Sequence, residues 1–156
     1  LNNNENYLEK YIIFKYGEIL EYNDVFEKQV VELWNICNLT RPWNNPHLDI
    51  IRKIKDGKNL FLIVKKKDEI IATIMGGYDG HRGVINYLAV HPNYRKKRIA
   101  KTLVNLVEKE LIKIGCPKIN LLIREENLEV LEFYKKINYK LQKDIRVLGK
   151  RLIPDD

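Results

Sequence analysis

The densest charge in this 156-residue chain is the run Arg95-Lys96-Lys97-Arg98, with Lys101 one helical turn further on. It falls between an apolar segment ending at Val90 and a helical periodicity beginning near Ile99. Unpaired backbone N–H groups and the macrodipole make a helix N-terminus positive, so four cations there oppose the dipole unless an anion joins them. A solvated basic turn is the plainer reading of a charge run alone; the strand–turn–helix setting favours a bound phosphate. Two other segments hold reactive side chains. Tyr78, Asp79 and His81 lie on a Gly-rich turn, and Arg41 and Trp43 put a cation beside an aromatic surface. Cys37 and Cys116 have no Cys or His at ligand spacing, so no metal site is expected and both read as buried, apolar-like residues.

The elements that position these residues follow from periodicity and punctuation. An extended segment is expected near Tyr11–Leu20, after a fraying tail within residues 1–10. Asp24 opens a helix with Glu27 three residues on, and Phe26, Val30, Leu33, Trp34 and Cys37 keep a helical period. Asn45 caps a second helix that begins at Pro46 and ends before Gly57, with His47 on its surface. Leu60–Val64 and Ile70–Met75 read as strands joined by a charged turn, and Val84–Val90 as another. Ile99, Leu103, Leu106, Val107, Leu111 and Ile114 mark one face of a long helix stopped by Gly115 and Pro117. Lys118–Ile123 reads as a buried strand. Asn127 caps a helix with Val130, Leu131, Tyr134 and Ile137 inward, and two extended pieces, about Tyr139–Gln142 and Ile145–Leu152, close the chain. The order βααβββαβαββ, with short connections through the middle, predicts one α/β domain with a largely antiparallel centre.

Composition narrows the function classes. Charged residues make up 31% and apolar ones 45%, a globular balance. The longest apolar run is too short to cross a bilayer, so no membrane partner is expected, and reduced cysteines fit a cytoplasmic protein. The net charge of +7 favours an anionic partner. Only Tyr94 accompanies the basic run and no nucleic-acid motif is visible, so nucleic acid is not expected.

The stretch Leu88-Ala89-Val90-His91-Pro92-Asn93-Tyr94-Arg95-Lys96-Lys97-Arg98-Ile99-Ala100 resembles the acetyl-CoA signature of the GNAT N-acetyltransferases, in which a strand ending in AVHP leads to an R/Q-x-x-G-x-G/A loop that cradles the CoA pyrophosphate. Asn127, followed by Phe133-Tyr134-Lys135-Lys136-Ile137-Asn138-Tyr139, is similar to the second signature, N…FYEKLGF. The likeness spans about Asp24 to Ile153. Arg41-Pro42-Trp43-Asn44 and Leu148-Gly149-Lys150-Arg151-Leu152, with the stretches 75–83 and 115–119, look closest to the small bacterial acetyltransferases of the YpeA type. Arg98 stands where the loop has Gly, which suits the loop if that residue keeps a negative φ. Asn138 stands where the second signature has Gly, and Asn tolerates the left-handed region.

The resemblance implies a single GNAT domain over 1–156, a mixed, mostly antiparallel sheet with helices on both faces in three layers, acting as a monomer or homodimer. It implies acetyl transfer from acetyl-CoA to an amine acceptor: a protein N-terminus, a lysine or a small amine. Backbone around Leu88, Ala89 and Val90 would hold the pantetheine arm. Arg95, Lys96, Lys97, Arg98, Ile99, Ala100 and Lys101 would surround the pyrophosphate. Asn127 would reach the cofactor arm, and Tyr134 would be the acid for the departing thiolate. Arg41, Trp43, Tyr78, Asp79 and His81 would form the acceptor groove. The base stays open among Asp79, His81, Glu125 and Glu126, with a water chain or direct capture of the neutral amine needing no dedicated base. The alternative is a catalytically weakened binding module whose basic loop takes CoA, nucleic acid or another polyanion.

Overall fold

A computed structural model describes residues 12–57 and 60–155; the tail expected to fray lies outside them. Strands β1 (Ile12–Phe14) and β2 (Gly17–Glu21) form a hairpin rather than one extended segment, because residues 15 and 16 turn the chain. A 3-10 turn, Asp24–Phe26, leads into α1 (Glu27–Ile36). The cap there is Asn23, whose side chain accepts from the Val25 N–H, one residue before the expected Asp24. Helix α2 (Pro46–Asp56) begins as expected, with the Asn45 side chain accepting from the His47 and Leu48 N–H groups and Gly57 past its end.

Strands β3 (Phe61–Lys66), β4 (Glu69–Tyr78) and β5 (Gly83–Val90) continue the meander. Helix α3 (Ile99–Lys113) follows, then β6 (Ile119–Asn120) and α4 (Leu128–Lys136). The sheet runs β1-β2-β3-β4-β5-β6, antiparallel throughout except for the parallel pair β5–β6. One apolar cluster joins Ile71 and Ile74 to Ile99, Leu103, Val107 and Leu111 of α3 and to Tyr134 of α4. A second joins Ile63, Phe61 and Met75 to Val30, Leu33 and Trp34 of α1 and Ile50 of α2. A sheet buried on both faces by separate helix pairs gives the expected three layers. Val104 also faces the core, whereas Ile114, expected there, is exposed.

Gly83 sits where the sheet changes from antiparallel to parallel. A Cβ there would come within 2.9 Å of Cys116 Sγ and Leu111 Cδ1 and 3.0 Å of Ile119 Cγ1, so glycine allows β6 and α3 to close on β5.

The expected strand at 118–123 is paired at only two residues, Gly83↔Ile119 and Val84↔Asn120. Beyond them the chain leaves β5, and Leu122 is 75% exposed. The two closing extended pieces form no ladder, and Leu148 is 94% exposed. Ion pairs of Asp155 with Arg52 and Arg151, with Arg151 donating to the Trp43 carbonyl at 3.3 Å, lay this segment against α2 and the loop before it.

Candidate active site

Where β5 and β6 part, a cleft of about 300 Å³ opens between them. Ile85, Asn86, Tyr87 and Leu88 form one wall, and Leu121, Leu122, Ile123 and Arg124 the other. The α1–α2 loop closes one side with Asn38, Leu39, Arg41, Trp43 and Asn44, and α4 the other with Asn127, Val130 and Tyr134. Of the residues singled out in sequence, Arg41, Trp43, Leu88, Asn127 and Tyr134 therefore share one cavity.

Strand β5 is irregular at this point. Thr73 pairs with Ala89 and Met75 with Asn86, so Tyr87 and Leu88 together oppose Ile74. Tyr87 has φ +49°, a left-handed conformation that is costly for a bulky residue. Such a bulge breaks the ladder and frees backbone groups toward the cleft. It is braced from the α1 side: the fully buried Trp34 Nε1 donates to Thr73 Oγ1 at 2.9 Å, and Thr73 Oγ1 donates to the Tyr87 carbonyl at 2.8 Å. The Trp34 and Tyr87 rings stack with centroids 3.8 Å apart.

On the α4 side, the Asn127 side-chain oxygen accepts from the Val130 N–H and fixes the start of the helix. Tyr134 is 5% exposed, and among the described residues its hydroxyl has no hydrogen-bond partner. Burial, with Glu108 nearby, pushes this phenol above its ordinary range and keeps it protonated. Tyr139 packs edge-on to it at 5.1 Å and donates to Glu108 Oε1 at 2.9 Å.

The basic loop lies past the C-terminal end of β5, where Arg95 Nε donates to the Val90 carbonyl at 3.1 Å. Side chains cap the first turns of α2 and α4, but none caps α3, whose N-cap is Arg98. Arg98 has φ +63°, so the condition under which Arg suits the loop, a negative φ, is not met, and Lys96 has φ +60°. The loop thus keeps a glycine-like backbone without glycine, at about 1–2 kcal/mol for each left-handed residue. Asn138 takes φ +72°, as expected of Asn at a helix end.

The groove expected to combine two loops is not assembled. Tyr78 ends β4 opposite Gly83, Asp79 and His81 occupy the β4–β5 turn, and none of the three lines the cleft. Leu88 lies opposite Ile74 and Gly83 opposite Tyr78, four residues of β4 apart or on the order of 13 Å. Asp79 is spent on its own turn: its Oδ1 accepts from the Arg82 N–H at 2.6 Å and the His81 N–H at 2.7 Å, bonds that hold the carboxyl below its usual range. Tyr78 donates to the Gly80 carbonyl. Glu125 and Glu126 are exposed at the approach to α4. Arg41 donates to the Asn38 carbonyl at 2.7 Å and the Thr40 carbonyl at 2.9 Å, bracing its loop. Trp43 faces Arg124 across the cleft, the guanidinium 5.3 Å from the ring.

Asn44, Asn86, Tyr87 and Arg124 are cleft residues that sequence reasoning did not select. No local pattern announces a left-handed tyrosine inside a strand; Asn44 lay within a quoted stretch, next to Trp43.

Comparison with known proteins decides the family. The sequence profile of the acetyltransferase (GNAT) family matches residues 27–139. The chain belongs to the GNAT acetyltransferase family. An acetyltransferase of Sodalis glossinidius (strain morsitans) is 50% identical over 133 residues, 85% of this chain and 93% of the relative. Among solved structures, Ard1 from Thermoplasma volcanium superposes with a TM-score of 0.68 at 20% identity, covering 81% of this chain and 84% of that one. The acetyltransferase AAC(6')-Iy, solved with a bisubstrate analogue of CoA and acetylneamine, gives 0.65 at 14% identity, covering 85% and 97%. This GNAT chain is accordingly an acyltransferase, and no helix among the described residues is long and apolar enough to cross a membrane.

Proposed function

We propose that the chain moves an acetyl group from acetyl-CoA directly to a primary amine in the β5–β6 cleft. One observation carries the reading: Tyr134, a buried side chain whose hydroxyl has no partner among the described residues, lines the same cavity as the bulged backbone of β5. The cationic, uncapped start of α3 lies just past the end of that strand.

The residues present fit the cofactor. The first-turn N–H groups of α3 have no side-chain cap, left-handed Lys96 and Arg98 turn the loop, and Arg95, Lys96, Lys97 and Lys101 supply charge for a pyrophosphate. Backbone of Leu88 to Val90 would hold the pantetheine arm, with Asn127 opposite. Acetyl-CoA supplies an activated thioester carbonyl; the protein's tasks are to polarise it, orient the amine and protonate the leaving sulfur. Amide N–H groups freed by the bulge suit the first task, since donors fixed in a dry cleft act strongly on developing oxyanion charge. Tyr134 suits the last: held protonated by burial, it donates to the thiolate as the amine attacks. An amine of pKa about 10.4 is neutral in roughly one molecule in a few thousand at pH 7, so the site must capture that fraction or release its proton to water. Arg41, Trp43 and Asn44 border the end opposite α4, where the acceptor would enter. The neighbour holding a CoA–acetylneamine conjugate supports a cofactor and an amine meeting in one cleft of this fold.

Calorimetry with acetyl-CoA, followed by thiol release with an N-terminal peptide, a lysine peptide and a polyamine, tests this reading. Saturable binding plus amine-dependent thiol release is expected. Folded protein that binds no acetyl-CoA overturns it.

A further inference from the structure

The bulge at Tyr87 is braced a second time, from the acceptor side, by groups outside the family signatures. The Tyr87 hydroxyl donates to Asp49 Oδ2 of α2. Asn44 Nδ2 donates to the same carboxylate oxygen at 2.6 Å and to the Tyr87 hydroxyl oxygen at 3.0 Å. The other oxygen, Asp49 Oδ1, receives Arg52 at 3.3 Å, and Arg52 in turn pairs with Asp155. A residue held left-handed persists only when its surroundings over-determine it. Here the carbonyl of Tyr87 is held through Thr73, its ring by Trp34, and its hydroxyl by Asp49 and Asn44.

We propose that Asp49 is a positioning residue: through the Tyr87 hydroxyl, with Asn44 closing the triangle, it clamps the β5 bulge in the conformation that presents its backbone to the thioester. Asp49 does not itself bind the amine, because Tyr87, Asn44 and Arg52 already engage both of its oxygens. The clamp also ties the α1–α2 loop, where Asn44 stands beside Trp43, to the strand that polarises the carbonyl. Acceptor entry and carbonyl geometry are thereby coupled through three side chains. The inference rests on the acetyl-transfer reading above, and specifies which side chains outside the signatures set the rate.

Steady-state kinetics on Asp49→Ala, Asp49→Asn, Tyr87→Phe and the Asp49→Ala/Tyr87→Phe pair, with hydrogen exchange at the ladder amides that bound the bulge, those of Asn86 and Ala89 and of their partners Met75 and Thr73, test it. Loss of a hydrogen bond to a charged group corresponds to about tenfold or more. Asp49→Ala and Tyr87→Phe should each lower kcat by about that factor while the Kd for acetyl-CoA holds. The double variant should be no slower than the worse single one, because both remove one unit. Asp49→Asn, which still offers an oxygen to Tyr87, should recover most of the rate. Exchange at these bounding amides should quicken by about tenfold in Asp49→Ala and Tyr87→Phe while amides of α3 stay protected. Unchanged kcat with an active wild type, multiplicative losses in the pair, or unaltered exchange at the bulge would each overturn the clamp. A wild type without acetyl transfer defeats the functional reading instead, and the exchange measurement still judges the clamp.

Discussion

The α2 side of the cleft and the basic loop past the end of β5 are built in opposite ways. In the loop before α3 polar groups are left open: among the described residues the helix start has no side-chain cap and the Lys96 and Lys101 ammonium groups have no hydrogen-bond partner, on a backbone left-handed at Lys96 and Arg98. Toward α2 they satisfy one another: Arg41 on its loop carbonyls, Asn44 and Tyr87 on Asp49, and Arg52 between Asp49 and Asp155. Open donors with stored backbone strain suit a region awaiting an anion, because the ligand supplies what the fold withholds. A saturated network suits a region that must hold its shape while an acceptor passes. The difference separates ligand-holding residues from shape-holding ones more sharply than charge or exposure does.

The contrast can be broken first at its midpoint. Tyr134→Phe should lower kcat by about 10²–10⁴-fold with acetyl-CoA affinity and melting temperature nearly unchanged, read by stopped-assay kinetics and calorimetry. Because burial raises this phenol's pKa, kcat should show no descending alkaline limb below about pH 10. At the open end, replacing Lys96 and Lys97 together by Gln should weaken acetyl-CoA binding about tenfold and flatten its salt dependence, with kcat at saturation retained.

Arg98→Gly sharpens the same end. Relief of left-handed strain outweighs the added chain entropy, so stability should rise by about 0.5–1 kcal/mol in urea melts. Affinity for acetyl-CoA should move by less than about threefold, because the loop is already set. Asn138→Gly, at a similar φ, should gain less, since Asn tolerates that region.

The smallest effect belongs to the residue that left the site. Asp79 is depressed in pKa by accepting from the Arg82 and His81 N–H groups. A carboxyl lowered in the folded state stabilises above its unfolded pKa, and that contribution fades as pH falls through the folded value. Asp79→Ala should thus lower the melting temperature slightly at pH 7, with the gap closing below about pH 4. Acceptor KM should not change; a marked rise would return this turn to the acceptor groove.

Legibility in the sequence followed how local each determinant is. Asn45-Pro46 and Asn127 announce their helices through side chain to backbone bonds a few residues long, and both hold. The apolar stripe of α3 is equally local. Residues 118–123 read as a buried strand because Ile119, Leu121 and Ile123 look like core, yet beyond Asn120 they part from β5 to line the cleft. Periodicity cannot tell a wall of a cavity from a wall of the core. The β4–β5 turn was legible as a turn, but not which end of β5 it would occupy relative to Leu88. The sign of φ at Tyr87 was hidden because tertiary bracing, not residue preference, sets it.

A crystal soaked with acetyl-CoA tests the central claim most directly. The account predicts the pyrophosphate on the N–H groups and cations of the 95–101 loop, and the thioester between Leu88 and Tyr134 where β5 and β6 part. Acetyl-CoA bound elsewhere on folded protein, with the cleft empty beside Tyr134, would contradict it.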